Sequence, residues 1–382
     1  MRQKCLTFFI LLIKLEDKMN QSIYDPCESV DEMLQRGIQA LKKNGVNKTP
    51  ANQLTNRGCT CTELPTPVVL TLKNPLARFC TMKSRKQNIA LTVAESLWIA
   101  SGMNDLDELP GHYAKAIYNY ADNGKSYRAG YGPRIRFYNE TKAQYYVRHQ
   151  ERTAYLSRGV GYTDQLRFCI EQLKKDKFTR QAVITIHDPN KDDFDLNGDL
   201  LKTKDTPCTR SVQFMCDSEG KLNCYVHMRS NDILHGMSVI NVAEFTFLQQ
   251  IVAQICGLPL GKYFHIANSF HYYEDLKEMV DACAKEKIEP IEEMKSFSYA
   301  QEQIELKDFD KAIDIMLAYE AQLVRGEDLT ARNPFFIDRR LQVFSDYAEV
   351  FRLAQCKKYK VDPVNGEFFH PQLQVLYQKG ML

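Results

Sequence analysis

Two stretches decide the fold of this chain: Thr206-Pro207-Cys208-Thr209-Arg210-Ser211-Val212-Gln213-Phe214 and, shortly after it, Met228-Arg229-Ser230-Asn231-Asp232. The first places a cysteine directly after a proline, and the second places a serine directly after an arginine. A cysteine thiolate is a nucleophile where neighbouring positive charge favours it. Arginine binds phosphate through two hydrogen bonds, and an adjacent serine hydroxyl adds a donor. Cys208 and Arg229 together predict covalent chemistry on a nucleotide or a phosphosugar.

The residues between these two stretches predict a β-hairpin. Residues 212–216 and 222–228 alternate apolar and polar side chains, and Asp217-Ser218-Glu219-Gly220 lies between them as a turn. A hairpin folds its two strands back on each other, so it would bring Cys208 close to Arg229.

Length and composition indicate a globular protein. The 382 residues are 44% hydrophobic and 26% charged, which suits one large domain with additions or two domains. The formal charge of +2 gives no reason to expect a nucleic-acid polymer as partner, because such proteins usually carry a strong basic patch. A small anionic ligand is compatible with this charge.

The cysteines favour a reducing compartment and no metal. The chain has 12 of them, and they follow neither a zinc-site spacing nor a disulfide framework; Cys59 and Cys61 are the only close pair. So many unpatterned thiols in a large chain predict a cytoplasmic protein.

The N-terminal residues resemble the start of a signal peptide. Residues 5–13 (CLTFFILLI) are apolar and follow Arg2 and Lys4, but they are too short to span a bilayer and no small-residue cleavage site follows. The pattern favours a buried or frayed helix over a targeting role and predicts no membrane partner. Met19 is an alternative start.

Periodicity predicts both helices and strands along the chain. The predicted helices cover residues 30–41, 88–100, 164–173, 242–256, 275–287, 302–325 and 338–354, and the further strands cover 67–72, 181–187 and 263–267. A polar linker is predicted at 44–56. We divide the chain into an N-terminal extension (1–50), a catalytic domain (51–290) and a helical C-terminal extension (291–382).

Two motifs allow two interpretations each. Glu95 interrupts an apolar helix, where it is either a solvated helix edge or a functional carboxyl. Residues 129–136 (AGYGPRIR) are either a plain surface loop or a glycine-rich turn that presents Tyr131 and two arginines.

Taken in order, the motifs resemble those of the thymidylate synthase and pyrimidine hydroxymethylase superfamily, roughly from residue 57 to residue 275. The matching motifs are Glu95-Ser-Leu-Trp98, Gly130-Tyr131-Gly132 with Arg136, Thr179-Arg180, Pro207-Cys208, Gln213-Phe214, Arg229-Ser230-Asn231-Asp232, Gly236, Asn241 and His271-Tyr272-Tyr273. The resemblance implies an α+β fold with a thymidylate synthase-like mixed β-sheet and helices packed around it. It also implies a homodimer, a pyrimidine nucleoside monophosphate as substrate and 5,10-methylenetetrahydrofolate as cosubstrate, with no metal.

The same resemblance implies a role for each matching residue. Cys208 would add to C6 of the pyrimidine, Glu95 would organise water and proton transfer, and Tyr131 would assist removal of the C5 proton. The remaining roles are phosphate binding by Arg229, Ser230, Arg57 and, in the site of a second copy, Arg180; substrate binding by Gln213, His271 and Tyr273; base reading by Asn241; and cofactor contact by Asp232 and Trp98.

Several departures from the synthase pattern indicate the branch. Thr209 stands where synthases usually have histidine, and Cys-Thr resembles the phage deoxycytidylate hydroxymethylases. An amide such as Asn241 suits the uracil edge, whereas those cytosine enzymes carry aspartate there. The segment before Asn241 is one residue longer than in synthases. Trp98 is the only tryptophan, so no second one would exclude water from the methylene intermediate.

These departures favour hydroxymethylation of dUMP, or of dCMP, over reductive methylation to dTMP. Gln181 replaces an expected arginine, and a long helical pattern follows Tyr273 in place of the short apolar tail that closes over folate in synthases. An alternative of another class is therefore an inactive nucleotide-binding or structural homologue.

Overall fold

The computed structural model of the chain describes residues 25–48, 60–139, 146–300, 302–331, 333–335, 338–363 and 366–382. The apolar stretch 5–13, the alternative start Met19 and the phosphate-binding candidate Arg57 lie outside these ranges. The predictions made for them stay predictions.

Seven strands form one mixed sheet, as predicted, in the order β1-β2-β7-β6-β5-β4, with β3 also pairing with β7. The strands are β1 (Val46–Lys48), β2 (Cys61–Glu63), β3 (Val68–Leu72), β4 (Val183–Thr185), β5 (Thr209–Cys216), β6 (Leu222–Asp232) and β7 (Leu260–Tyr273). The pairs are antiparallel except β6 with β7, which is parallel.

The predicted hairpin is confirmed as β5 and β6. Val212 lies opposite Val226 in an antiparallel register, and the turn between the strands contains Gly220 at a φ of +80°, a conformation that glycine adopts without strain. At its open end the backbone N–H of Arg229 donates to the carbonyl of Cys208 over 2.8 Å. The hairpin therefore joins the cysteine to the arginine, as the sequence predicts.

Helices surround this sheet. They are α1 (Val30–Asn44), α2 (Ile89–Ser101), α3 (Pro110–Tyr113), α4 (Tyr131–Arg136), α5 (His149–Arg158), α6 (Gln165–Lys175), α7 (Pro189–Asp192), α8 (Val242–Cys256), α9 (Lys277–Lys285), α10 (Leu306–Val324), α11 (Gln342–Tyr359) and α12 (Pro371–Gln378). The α2 helix begins at Asn88, whose side chain accepts from Leu91 N, and it ends at Gly102 with φ +90°.

Several predicted elements differ in extent. The β7 strand runs from Leu260 to Tyr273 instead of covering 263–267, because β6, β3 and β2 all hydrogen-bond to it. The β4 strand is confined to Val183–Thr185 because only these residues pair with β5. Residues 46–48 form β1 against β2, so the polar linker predicted at 44–56 is wrong at this point.

The glycine-rich motif at 129–136 is not a surface loop. Residues 131–136 form α4, and its two arginines, Arg134 and Arg136, are fully buried because they pair with Asp192 and Asp310. Sequence periodicity does not reveal these partners, since they lie far along the chain.

The C-terminal helices dock on the segment that precedes α2. The Gln372 side chain accepts from the backbone N–H of Phe79 over 3.0 Å and donates to its carbonyl over 2.9 Å. The His370 Nε2 donates to the carbonyl of Leu76 over 2.7 Å. A helical C-terminal part is thus observed, while the boundaries at residues 50 and 290 stay predictions.

One segment, Ile233–Cys256, is long and apolar enough to cross a bilayer by length and composition alone. Its most apolar window is 83% buried within the protein. This burial is the ordinary state of a core helix in a folded domain.

Candidate active site

The Cys208 thiol lies half-buried immediately before β5. Burial raises the pKa of the thiol above its usual value. The charge of Arg229 lowers this pKa in part, and the charge of Asp205 raises it again. Positive charge is therefore present, as the sequence predicts, but without substrate the balance favours the protonated thiol.

Arg229 braces the segment that carries the cysteine. Its Nε donates to the carbonyl of Pro207 and its Nη2 to the carbonyl of Thr206, both over 3.0 Å. The next residue, Ser230, is half-buried beside it on β6. The guanidinium and the cysteine segment therefore meet at one end of the hairpin, and Ser230 follows on the same strand.

Tyr131 lies beside the cysteine segment. Its hydroxyl accepts from the backbone N–H of Thr209 over 3.1 Å, and its ring stacks on Phe245 with centroids 6.3 Å apart. Burial raises the pKa of this phenol, and the Cys208 charge raises it further. The tyrosine is thus neutral and within electrostatic reach of the thiol.

Glu95 lies half-buried on α2. Burial raises the pKa of its carboxyl to about 7. A solvated helix edge would leave that pKa near its usual value, so this interpretation is disfavoured, and the functional role of Glu95 stays a prediction.

Glu244, which the sequence reasoning missed, is a second carboxyl at this site. It is 2% exposed, in the first turn of α8. Burial raises its pKa to about 8; the hydrogen bond from Asn241 lowers it, and the charge of Glu95 raises it. A single acidic residue in the apolar run of residues 242–248 was the signal that could have revealed it.

Asn241 joins Glu244 to the sheet. Its Nδ2 donates to Glu244 Oε1 over 2.8 Å, and its Oδ1 accepts from Asn231 Nδ2 over 2.7 Å. Asn241 ends a π-helical segment, Ile233–Asn241, that leads into α8. A π-helical turn takes up one residue more than an α-helical one, so this geometry accommodates the extra residue noted in the sequence.

Asp232, His235 and His271 form a second polar group at the ends of β6 and β7. Asp232 lies opposite His271 in the parallel register, and its Oδ2 is 3.2 Å from His235 Nδ1. Burial alone would raise the pKa of Asp232, but the hydrogen bond and charge of His235 outweigh it and lower the pKa. Asp232 is therefore a carboxylate at neutral pH.

His271 carries an unsatisfied buried atom. It is 6% exposed, its ring meets that of Tyr273 edge-on at 5.1 Å, and its Nδ1 has no hydrogen-bond partner among the described residues. Burial lowers its pKa, so the ring is neutral. A buried ring nitrogen without a protein partner is suited to a ligand or a water molecule.

Three predicted residues lie outside this central group of contacts. The Trp98 side chain is buried, and its Nε1 donates to the carbonyl of Asp105 over 2.7 Å. Gln213 Nε2 donates to the carbonyl of Arg180 over 2.9 Å, and Arg180 itself is exposed. Cofactor contact by Trp98 and substrate contact by Gln213 and Arg180 stay predictions.

A cavity of about 910 Å³ lies apart from these residues, between α1 and the segment 288–295. Glu28, Asp31, Arg36 and Lys73 are among its lining residues, and none of the predicted site residues line it. Within the described ranges, no group of three or more histidine, cysteine or acidic side chains is arranged to hold a metal ion.

Comparisons with known proteins agree with the motif order. The family model described as thymidylate synthase matches residues 35–320. A protein of Bacillus phage SP01 named deoxyuridylate hydroxymethyltransferase is 35% identical over 209 residues, covering 55% of this chain and 50% of the relative. Proteins of the same name from Delftia phage PhiW-14 and Pseudomonas phage M6 are 31% and 28% identical, covering 55% and 58% of this chain and 53% and 54% of the relatives.

This chain thus spans about half the length of the curated relatives it matches. The family model, in contrast, extends over most of the chain and includes the hairpin, α2, α4, α8 and β7. The chain belongs to the thymidylate synthase family.

Proposed function

We propose that this chain transfers a one-carbon unit from methylenetetrahydrofolate to C5 of dUMP and leaves a hydroxymethyl group there. The observation that carries the proposal is the grouping of Cys208, Tyr131, Arg229 and Asn241 around one end of the hairpin and the start of α8. The three phage relatives share the name deoxyuridylate hydroxymethyltransferase, which supports the same substrate and product.

The chemistry assigned to the chain begins at Cys208. Its sulfur would bond to C6 of the pyrimidine, which makes C5 nucleophilic. Methylenetetrahydrofolate, when bound, supplies a one-carbon unit at the oxidation level of formaldehyde. Tyr131, whose hydroxyl accepts from the backbone N–H of the residue after Cys208, would assist removal of the C5 proton. Glu95 would exchange protons through water at its near-neutral pKa. After water has added to the one-carbon unit on C5 and supplied the hydroxyl oxygen, the thiolate would leave C6 and the C5–C6 double bond would be restored.

The polar groups at the ends of β6 and β7 are compatible with both ligands. The unsatisfied Nδ1 of His271, with Tyr273 beside it, would meet the sugar hydroxyl. The half-buried carboxylate of Asp232 would accept hydrogen bonds from the pterin. Neither role requires a metal ion.

Phosphate binding is assigned to Arg229 and Ser230, with Arg180 reaching the site of a second copy in a homodimer. Arg180 is exposed at the edge of the sheet. On the sheet face, Tyr225 and Phe264 stack with centroids 4.6 Å apart and stay half-buried. An aromatic pair on an open sheet face supports association with a second copy.

We also propose a cytoplasmic location, and no nucleic-acid polymer or membrane as partner.

Reductive methylation to dTMP is the second candidate, since the family is named for it. It requires that water be kept from the methylene intermediate until hydride arrives. The only tryptophan, Trp98, is buried on α2 and donates to the carbonyl of Asp105. No second tryptophan is present to keep water from the intermediate, which favours the hydroxymethyl product.

The test is to incubate the protein with dUMP or dCMP and methylenetetrahydrofolate and to weigh the products. We expect dUMP to gain the mass of CH2O; a gain of CH2 with formation of dihydrofolate would identify a synthase instead. Failure to release tritium from C5 of either nucleotide would leave an inactive nucleotide-binding or structural homologue.

A further inference from the structure

Five polar side chains form a continuous run of hydrogen bonds from the sheet to the candidate active site. We call this run the amide relay; its members, in order, are Tyr263, His265, Asn231, Asn241 and Glu244. All five are at least nine-tenths buried. Buried polar side chains are costly unless they are satisfied, so such a run strongly constrains the orientation of its members.

The relay starts on β7. His265 Nδ1 lies 3.0 Å from the Tyr263 hydroxyl, and His265 Nε2 lies 3.0 Å from Asn231 Oδ1. Burial lowers the pKa of His265 to about 3, so its ring is neutral, with one donor and one acceptor nitrogen. Because Asn231 Oδ1 can only accept, Nε2 donates to it and Nδ1 accepts from Tyr263.

The relay ends on α8. With its Oδ1 occupied by His265, Asn231 donates from Nδ2 to Asn241 Oδ1 over 2.7 Å. Asn241 in turn donates from Nδ2 to Glu244 Oε1 over 2.8 Å. Every bond thus points the same way along the run, and Glu244 is the terminal acceptor through Oε1. Because burial raises its pKa to about 8, the carboxyl keeps a proton at neutral pH, and Oε2 carries that proton while Oε1 accepts.

This direction fixes the amide of Asn241. An isolated amide could rotate by half a turn and exchange its N–H₂ and C=O ends at little cost. In the relay such a rotation would set two N–H groups against each other at Asn231 and two oxygens against each other at Glu244. The Nδ2 therefore stays toward Glu244 and the Oδ1 toward Asn231, and each end keeps one further hydrogen-bonding position.

Fixing the amide matters because the two candidate bases differ in the order of their donors and acceptors. Uracil presents an acceptor at O4 and a donor at N3, whereas cytosine presents a donor at its 4-amino group and an acceptor at N3. An amide that can rotate could pair with either edge. An amide held in one orientation pairs with one edge and leaves buried groups unsatisfied against the other.

We propose that Glu244 is a positioning residue that holds the Asn241 amide in one orientation and thereby makes the pocket select a uracil over a cytosine nucleotide. This inference rests on the proposed function, since it assigns Asn241 to the base. Glu244 acts through Asn241 and requires no contact with the nucleotide.

The test compares dUMP with dCMP in full-length variants, by the rate of C5 tritium release and by nucleotide binding. Glu244→Met removes the terminal acceptor at similar length, and we expect the preference for dUMP to fall about ten- to hundredfold, as for a lost buried partner. Glu244→Gln keeps an acceptor oxygen and should retain most of the preference. Thr246→Val is the matched control, because the Thr246 hydroxyl donates within α8 to the carbonyls of Val242 and Ala243 and bonds to no other described residue.

A structural defect would weaken both nucleotides alike, so the ratio between them is the informative measurement. An unchanged ratio in Glu244→Met, or a loss in Glu244→Gln as large as in Glu244→Met, would overturn the inference while the proposed function stands. If Glu244→Met does not fold, Glu244→Ala removes the same acceptor, and an unchanged ratio there has the same meaning. No tritium release by the unaltered protein from either nucleotide would remove the proposed function and this inference together.

Discussion

Two groups of buried acidic side chains in this protein have opposite electrostatics. Glu95 and Glu244, in the candidate pocket, have pKa values raised to about 7 and about 8, in both cases chiefly by burial. Asp192 is just as buried, but Arg134 holds it by two hydrogen bonds of 2.6 and 2.7 Å, and Arg128 adds two more of 3.1 Å. At Asp192 the two arginines outweigh the effect of burial and lower the pKa of the carboxyl.

The difference separates a structural cluster from a chemical one. A carboxylate paired with arginines is charged at all physiological pH values and holds α4 and α7 together. A buried carboxyl without such a cation takes up and releases protons near neutrality, which is what proton transfer requires. The two groups should therefore respond differently to substitution, pH and loss of a partner.

The largest expected effect is on chemistry alone. Cys208→Ala should lower C5 tritium release by at least about three orders of magnitude, because no thiol remains to attack C6. Thermal unfolding should change little and nucleotide binding should persist. Cys216→Ala, which removes a half-buried thiol at the far end of the same strand, is the control. Tritium release that survives in Cys208→Ala would show that the nucleophile is misassigned.

The next effect is on stability alone. Arg134→Met leaves Asp192 buried with a weaker partner, and we expect it to lower the free energy of unfolding by about 3–5 kcal/mol in chemical denaturation. Arg167→Met, at an exposed arginine 3.7 Å from Glu171, should change it by less than about 0.5 kcal/mol. Equal effects of the two substitutions would mean that the Asp192 cluster does not stabilise the fold.

The pH dependence of stability should have opposite signs in the two groups. Because folding raises the pKa of Glu244 from 4.5 to about 8, its contribution is fully present below about pH 4.5 and is lost as the pH rises through about 8. Folding lowers the pKa of Asp192, so its contribution is present above pH 3.8 and is lost as the pH falls through the lower folded value. Glu244→Gln should remove on the order of 4–5 kcal/mol of the stability that is lost toward alkaline pH.

Denaturation at about pH 2.5, pH 5 and pH 8.5 measures this difference, and Asp192→Asn provides the opposite case on the acid side. That variant should flatten the acid side of the stability profile and leave the alkaline side unchanged. If the free energy of unfolding changed with pH in Glu244→Gln just as it does in the unaltered protein, Glu244 would not be protonated in the folded state.

The smallest effect concerns a buried polar atom that belongs to neither group. Thr209 is fully buried, and its Oγ1 has no hydrogen-bond partner among the described residues. Thr209→Val should therefore change the free energy of unfolding by less than about 1 kcal/mol, since no bond is lost. A larger loss, measured beside Thr246→Val, would reveal a partner for this hydroxyl.

Much of the fold could be predicted from local pattern. The hairpin of β5 and β6, the capped α2 helix and the long α8 helix follow from alternation, helical spacing and end residues, which act over a few positions. The helix α4 was missed as a helix because the residues that bury its arginines lie far away in sequence. The length of β7 also depends on three partner strands rather than on its own residues.

The sequence by itself determined the residues that the chemistry needs: the order of Cys208, Arg229 and Asn241 among the other motifs identifies the family, and local periodicity places them on a hairpin and before a helix. Only the tertiary structure revealed Glu244 and the direction of the relay that reaches it. Hydrogen-bond polarity and the pKa of a buried carboxyl depend on what surrounds a side chain in three dimensions, and the relay brings together residues from β6, β7 and α8.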